Sequence, residues 1–308
     1  MPDAELETWL QGGDAAIRAQ VRRDLLGGSG AEAAADRAAA SDEGAAAELL
    51  ALQRPDGQWG VGVYDGDDWC STTDALWILR ELDVDPADDR VRAAVDLVAE
   101  HVRWEERNGG RPFFEGETEA CVNGRVLALG AHFGRTSGAL TDRLLGEQLE
   151  DGGWNCEAPA STRSSFHPTA CVLEGLLGVL GAADDSRVME AVDRGLEYLL
   201  ERRLLRSRST GELLDADWLT VHVPTYWCYD VLRGLELLRV AGRLSDPRAE
   251  DALEALRSSR SSDGTWSATP HPGWQLVRLE PDAPDTGAPS RWATLRALRV
   301  LAAAGLSA

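Results

Sequence analysis

The sequence predicts an all-α protein built from about five helical hairpins. A glycine-containing turn recurs roughly every 50 residues, which is the period of a solenoid or toroid repeat. Each turn is followed by a stretch that is apolar nearly all round, as expected for a buried helix. Strand signals are scarce, because β-branched residues never alternate with polar ones over a useful length.

Three copies of the turn contain an Asp-Gly pair and end in tryptophan: Arg54 to Trp59, Glu150 to Trp154, and Ser262 to Trp266. Two weaker copies lie between them, at Asn108 to Phe114 and Ser209 to Leu214. Glycine permits a positive φ, aspartate can bond its own backbone, and the aromatic ring can anchor the turn on the core. Each copy therefore predicts a hinge between two helices.

Two kinds of helix alternate along the predicted repeat. The helices after the turns are apolar and are predicted to form an inner ring: Cys70 to Leu82, Cys121 to Gly130, His167 to Leu180, Tyr226 to Val240, and Trp292 to Ala303. Amphipathic segments between them are predicted to form an outer ring: Val91 to Val102, Arg187 to Arg202, and Arg248 to Arg257. We expect residues 1–40 to form an N-terminal capping helix and residues 41–308 to form the repeat domain.

Composition predicts a soluble, cytoplasmic protein with reduced thiols. The net charge of −21 argues against nucleic acid and anionic membranes as partners. No apolar run approaches the roughly 20 residues that span a bilayer, so we expect no integral membrane segment. The N-terminus has no secretory signal pattern. The five cysteines are an odd number, which disfavours a disulfide framework.

The segment Gln148 to Asn155 resembles the QW repeat of squalene cyclases. Residues 45–304 as a whole resemble the prenyltransferase and squalene oxidase repeat family. This resemblance implies an α/α toroid whose inner helices line a central cavity, which holds isoprenoid chains in relatives. It also implies functional residues where the inner helices begin. Protein prenyltransferases need a helical partner subunit, and nothing in this sequence indicates one.

Residues that can bind metal stand at the starts of the inner helices. Alignment of these helices places Cys70, Cys121, His167 and Tyr226 at equivalent positions. Unpaired backbone N–H groups at helix starts stabilise thiolates. Glu119-x-Cys121 with His167 resembles the zinc ligands of protein prenyltransferase β subunits, with Glu in place of the family's Asp. The resemblance therefore implies zinc as a cofactor, with a fourth coordination position open to substrate.

Two alternatives to catalytic zinc are open for the cysteines. Either Cys70 or Cys156 would complete a closed, structural metal site. The cysteines are otherwise small core residues, which is the commonest fate of free cysteine.

Asp65 to Asp68 spell Asp-x-Asp-Asp before the first inner helix. In class II terpene cyclases such a motif protonates an alkene, with its middle aspartate kept neutral by crowded carboxylates and an apolar cavity. The resemblance implies Asp67 as the acid beside Asp68, with Cys70 and Tyr226 as further catalytic candidates. The family's usual Thr-Ala after the motif is replaced here by Trp-Cys, and the alternative is a solvated acidic loop.

Arginines and aromatic residues are the candidates for binding substrate. Arginine offers a fork of donors to an anionic head group, and a tryptophan face stabilises a carbocation. The alternatives are surface ion pairs for the arginines and core packing for the rings. The candidates are Trp69, Arg163, Arg202, Arg206, Trp227 and Trp292, with Arg203 and Arg208 in the same cluster as Arg202 and Arg206.

Three functions follow from these motifs. The first is a prenyltransferase-like or terpene-cyclase-like enzyme, assisted by zinc, that binds a small or isoprenoid-like substrate. The second is a proton-initiated class II cyclase that uses Asp67. The third is a non-catalytic binding or scaffold protein that keeps the fold, since one fold hosts many roles.

Overall fold

A computed structural model describes residues 4–27, 30–64, 69–182, 184–225, 227–270, 275–280 and 287–306. The α-helices are α1 (Ala4–Gln11), α2 (Ala15–Asp24), α3 (Gly30–Ala40), α4 (Gly44–Ala51), α5 (Thr72–Glu81), α6 (Asp89–His101), α7 (Ala120–His132), α8 (Gly138–Gly146), α9 (Phe166–Ala182), α10 (Ser186–Leu200), α11 (Val231–Val240), α12 (Glu250–Ser258) and α13 (Arg291–Ala303). Short 3₁₀ helices cover Glu106–Asn108, Phe113–Glu115, Ala216–Leu219 and Pro247–Ala249.

Strands are a minor part of the described chain, and each spans two residues. They are β1 (His222–Val223), β2 (Trp266–Ser267), β3 (Thr269–Pro270) and β4 (Pro289–Ser290). β1 pairs in parallel with β3, and β2 pairs antiparallel with β4. The all-α class that the sequence predicts is confirmed, and the predicted inner helices correspond to α5, α7, α9, α11 and α13. Among the described residues, no helix combines the length and apolar character needed to span a bilayer.

The chain divides into two compact units. The first unit comprises residues 1–97, 219–225 and 253–308, and the second comprises residues 98–218 and 226–252. In the second unit α7 packs against α9, and α10 packs against α9 and α11. In the first unit α2 packs against α3 and α13.

The segment predicted to be a single capping helix contains three helices in its described part, α1 to α3. Gly12 and Gly13 separate α1 from α2, and glycine is a poor helix former. Asp14 then begins α2, because its carboxylate accepts the Ala16 N–H at 2.9 Å. The other oxygen of the same carboxylate accepts the Ala45 N–H at 3.1 Å, so Asp14 joins the starts of α2 and α4.

The three tryptophan turns share one hydrogen-bonding pattern. Trp59, Trp154 and Trp266 are each at most 1% exposed. Each indole Nε1–H donates to the carbonyl ten residues earlier, in the preceding helix: Leu49 at 2.7 Å, Leu144 at 2.7 Å and Leu256 at 2.8 Å. The predicted hinge role of these turns is therefore confirmed, with the ring bonded to the helix that the turn follows.

The same tryptophans also bond to the helix after the turn. Their backbone N–H groups donate to threonine hydroxyls in α5, α9 and α13: Thr72 at 3.1 Å, Thr169 at 3.0 Å and Thr294 at 2.9 Å. The weaker turn at Asn108 to Phe114 differs, since Trp104 reaches over it and its Nε1–H donates to the Phe113 carbonyl at 2.8 Å. The three Asp-Gly turns therefore share both bonds.

The crossing of α7 and α9 depends on two glycines. A Cβ on Gly124 would lie 2.4 Å from the carbonyl carbon of Cys171, and a Cβ on Gly175 would lie 2.6 Å from the carbonyl oxygen of Gly124. Neither position has room for a side chain, so the two helix backbones are in direct contact.

We expect Thr169→Val to lower the free energy of unfolding by about 1–3 kcal/mol, because it leaves the buried Trp154 N–H without its acceptor. Thr169 is fully buried and valine has nearly its shape, so packing changes little. Urea unfolding followed by circular dichroism measures the difference. The control is Thr162→Val at an exposed position, and equal stability of the two variants would contradict the expectation.

We expect Gly124→Ala to lower the free energy of unfolding by about 1–3 kcal/mol, because the new methyl group collides with the α9 backbone. The control, Gly181→Ala, is also helical, but its Cβ meets nothing within 4 Å. There the change should stabilise by up to about 1 kcal/mol through helix propensity. Thermal and urea unfolding should show that the free energy of unfolding falls in Gly124→Ala and rises in Gly181→Ala. A stabilised Gly124→Ala protein would refute the close contact between the helix backbones.

Candidate functional site

Glu119, Cys121 and Cys156 bring three metal-binding atoms together within the second unit. A carboxylate oxygen of Glu119 and the sulfur atoms of both cysteines lie within 4.8 Å of one another. Glu119 is the residue before α7, and Cys121 lies in the first turn of that helix. Cys156 follows the anchored turn at Trp154 by two residues. The group therefore joins a helix start to the end of a tryptophan turn.

Cys156 satisfies a backbone group at the start of α7. The Cys121 N–H donates to Cys156 Sγ at 3.3 Å, and an N–H in the first turn of a helix has no acceptor within the helix. Cys121 Sγ in turn lies 3.6 Å from Glu119 Oε2. The side chain of Glu119 makes no capping bond itself, so its carboxylate faces the thiol.

The two thiols differ in acidity. The hydrogen bond from Cys121 lowers the pKa of Cys156. The hydrogen bond with Cys156, together with burial, raises the pKa of Cys121. Cys156 is half-buried and Cys121 is buried. Cys156 is therefore the more acidic of the two thiols.

Glu119 is held in place by the residues just before it. The carboxylate of Glu117, which is 3% exposed, accepts the Glu119 N–H at 2.5 Å and the Thr118 hydroxyl at 2.8 Å. The Glu117 N–H donates to Asn123 Oδ1 in α7 at 2.7 Å. At Gly116, φ is 73° and a Cβ would lie 2.3 Å from that same Oδ1, so the approach requires glycine.

The resemblance to protein prenyltransferases implies His167 as the third metal ligand, but His167 lies outside this group. Cys156 is the third member instead. The Tyr229 N–H donates to His167 Nδ1 at 2.7 Å. A neutral imidazole carries one proton, so with Nδ1 accepting, the proton is on Nε2. Neither nitrogen then offers a lone pair to a metal. Burial, followed by the charge of Arg233, lowers the pKa of His167 to about 4, which keeps the ring neutral.

Aromatic rings surround His167. Its ring centroid lies 5.2 Å from that of Trp227 and 6.0 Å from that of Trp218. Behind them, the fully buried Arg233 pairs with Glu174 at 2.7 Å and donates to the Trp227 carbonyl at 3.0 Å. Trp227 is half-buried and packs against His167. Its carbonyl accepts a hydrogen bond from Arg233, which is itself paired with Glu174.

The predicted arginines contact residues of their own unit. Arg206 Nε lies 2.7 Å from a carboxylate oxygen of Asp251, and the guanidinium of Arg202 stacks 3.7 Å above the Tyr198 ring. Arg163 is exposed in the loop before α9. Arg206 therefore takes part in an ion pair, and Arg202 packs on an aromatic ring.

Three other candidates belong to the first unit. Trp69 is fully buried, Cys70 is 1% exposed and Trp292 is 5% exposed. The Trp69 carbonyl accepts the Leu276 N–H at 3.0 Å. Their burial matches the packing alternative. The remaining candidates, Asp67, Asp68 and Tyr226, lie outside the described residues.

We expect His167 to reduce stability at acid pH. The unfolded chain takes up a proton near pH 6.5, whereas the folded imidazole does so only near pH 4, so the free energy of unfolding falls as pH drops through this window. Urea unfolding across this pH range should show a smaller fall for His167→Gln than for the wild type. His101→Gln removes an exposed imidazole as the control. Parallel pH profiles for wild type and His167→Gln would contradict the buried, neutral ring.

Comparison with known proteins finds matches among solved structures. No family model and no curated protein match the sequence. The type II terpene cyclase MstE from Scytonema is 18% identical, with a TM-score of 0.47 over 94% of this chain and 88% of that one. A protein from Actinoplanes is also 18% identical, with a TM-score of 0.47 over 95% and 90%.

Proposed function

We propose that this chain is a prenyltransferase-like or terpene-cyclase-like enzyme that uses zinc and binds a small or isoprenoid-like substrate. The observation that carries the proposal is the group formed by Glu119, Cys121 and Cys156, whose three ligand atoms lie within 4.8 Å of one another. The resemblance of the segment Gln148 to Asn155 to the QW repeat of squalene cyclases supports the substrate class.

The donor set fits zinc. Zinc takes thiolate and carboxylate ligands at about 2.0–2.3 Å, so the ligand atoms of one tetrahedral ion lie roughly 3.3–3.8 Å apart. The three atoms of this group need only small side-chain rotations to reach such separations. Three protein ligands leave one coordination position for substrate or water, as in catalytic zinc sites.

The surrounding residues prepare these ligands. The Cys121 N–H directs a hydrogen bond at Cys156 Sγ, which stabilises a thiolate there and fixes its orientation. Glu119 Oε2 stands 3.6 Å from Cys121 Sγ and can accept the proton that this thiol must lose. The carboxylate of Glu117 accepts the backbone N–H of Glu119 and so holds Glu119 in place. Zinc, when bound, would lower the pKa of a thiol or water, or polarise a leaving group.

His167 has a different role in this proposal. Its Nε2–H is a fixed hydrogen-bond donor beside the Trp218 and Trp227 rings, because Nδ1 is occupied by the Tyr229 N–H. A neutral donor among aromatic walls suits an oxygen on an otherwise apolar substrate.

We expect metal-free protein to bind one equivalent of Co²⁺, a spectroscopic substitute for zinc, with a sulfur-to-metal charge-transfer band. Cys156→Ser and Glu119→Gln should each weaken binding at least about tenfold, because each removes a ligand. His167→Gln should leave the affinity unchanged. Elemental analysis of protein purified without added metal should show zinc.

The matched control is Cys228→Ser, which removes a half-buried thiol outside the group. If Cys228→Ser and Cys156→Ser weaken binding equally, the assigned site is wrong. The enzymatic part is tested by incubating zinc-loaded protein with geranylgeranyl diphosphate and analysing products by mass spectrometry. Turnover that is lost in Cys156→Ser and kept in Cys228→Ser supports the proposal, and zinc binding without turnover refutes the isoprenoid reaction.

A further inference from the structure

We propose that an arginine-lined cavity in the second unit binds a phosphate or diphosphate group of a small molecule. The cavity has a volume of about 380 Å³. It lies where the chain leaves α10, and α12 supplies one lining residue. The lining residues are Glu201, Arg202, Arg203, Arg206, Ser207, Arg208, Gly211 and Asp251.

The charge of this cavity is opposite to that of the protein. The chain has 52 acidic and 31 basic residues, yet four arginines lie within the seven positions from 202 to 208. Two carboxylates, Glu201 and Asp251, share the lining with them. Asp151 also approaches Arg202, at 3.9 Å. Among the described residues that line the cavity, four guanidinium groups therefore stand beside two carboxylates.

The carboxylates hold the arginines in place and leave further donors on them. Asp251 lies 2.7 Å from Arg206 Nε and 3.4 Å from Arg203 NH1. Glu201 lies 2.8 Å from Arg208 NH1 and 3.8 Å from Arg202 NH1. Arg202 NH1 also donates to the Tyr198 carbonyl at 2.9 Å, and Arg206 NH1 donates to the Gly211 carbonyl at 3.2 Å. A guanidinium carries five N–H donors in a planar fork, so these contacts do not exhaust any of the four. Asp251 and Glu201 thus each bridge two of the guanidinium groups.

The loop that carries the arginines is firmly anchored. Leu204 is fully buried, and its carbonyl accepts the hydroxyl of the buried Tyr229 at 2.7 Å. Arg203 and Leu204 have φ angles of 46° and 66°, which turn the chain sharply after α10. Arg206 and Leu213 form an antiparallel bridge that closes the loop. The backbone that carries the four arginines is thus fixed before any ligand arrives, which reduces the entropy lost on binding.

The chemistry of the lining selects the ligand class. Guanidinium forks bind phosphate oxygens in pairs, and these charge-assisted bonds are the strongest that arginine makes. The Ser207 hydroxyl adds a neutral donor or acceptor. A cavity of this size exceeds a single phosphate group, so the geometry favours a diphosphate or a phosphorylated small molecule. The inference is independent of zinc, since none of the lining residues belongs to the Glu119, Cys121 and Cys156 group.

Isothermal titration of metal-free protein with inorganic pyrophosphate tests this site. The expected result is saturable binding that weakens as salt rises. The double variant Arg203→Gln/Arg208→Gln should weaken Kd at least about tenfold, because it removes two charge-assisted donors. Both side chains are more than half exposed, so the fold should survive, and circular dichroism checks this. Inorganic phosphate in place of pyrophosphate shows whether one phosphate group is sufficient.

The matched control is Arg187→Gln/Arg257→Gln, which changes the net charge equally by removing two exposed arginines paired elsewhere. Unchanged Kd in this control, with weakened Kd in the cavity variant, supports the site. Equal weakening in both variants would mean non-specific attraction and would overturn the proposal. Absence of saturable binding of either anion would overturn it as well. Because no metal is present, neither result depends on the zinc site.

Discussion

The hydrogen bonds of the three buried tryptophans are the constraint on which the rest of the structure depends. Each indole is bonded to the helix before its turn, and each backbone N–H is bonded to a threonine in the helix after it. These groups are buried, so a lost bond leaves a polar group with the full cost of desolvation. A turn built in this way fixes both the spacing and the direction of two successive helices.

This constraint reaches the candidate site through α9. Trp154 is bonded to Thr169 in α9, and α9 touches α7 backbone to backbone at Gly124. The chain that leaves the turn at Trp154 supplies Cys156, while the start of α7 supplies Cys121. The two sulfur atoms therefore meet because turn and helix are both fixed against α9. These fixed contacts hold Cys121 and Cys156, which are far apart in the sequence, at a constant separation.

The sequence predicts the features that depend on local pattern. The Asp-Gly-x-Trp spacing predicts the hinges, and apolar helices with Cys121 near a helix start follow from composition and spacing alone. The position of Cys156 depends on how the loop after Trp154 folds back. The sequence therefore indicates Cys156 only as an alternative ligand. The state of His167 depends on the Tyr229 N–H, 62 positions away, and no local pattern carries that information. The one feature of the sequence that could have indicated Cys156 as a ligand is its position two residues after the turn at Trp154.

The net charge of −21 acts in opposite directions on the two proposed sites. A negative surface raises the local concentration of divalent cations, which favours a zinc site built from Glu119 and two thiols. The same surface repels phosphate, so an anion site needs locally concentrated positive charge. Salt screens charges beyond a Debye length of about 8 Å at physiological ionic strength, so a bound anion responds mainly to the nearest groups. Four arginines anchored on one loop meet this requirement, whereas arginines spread evenly over the surface would not.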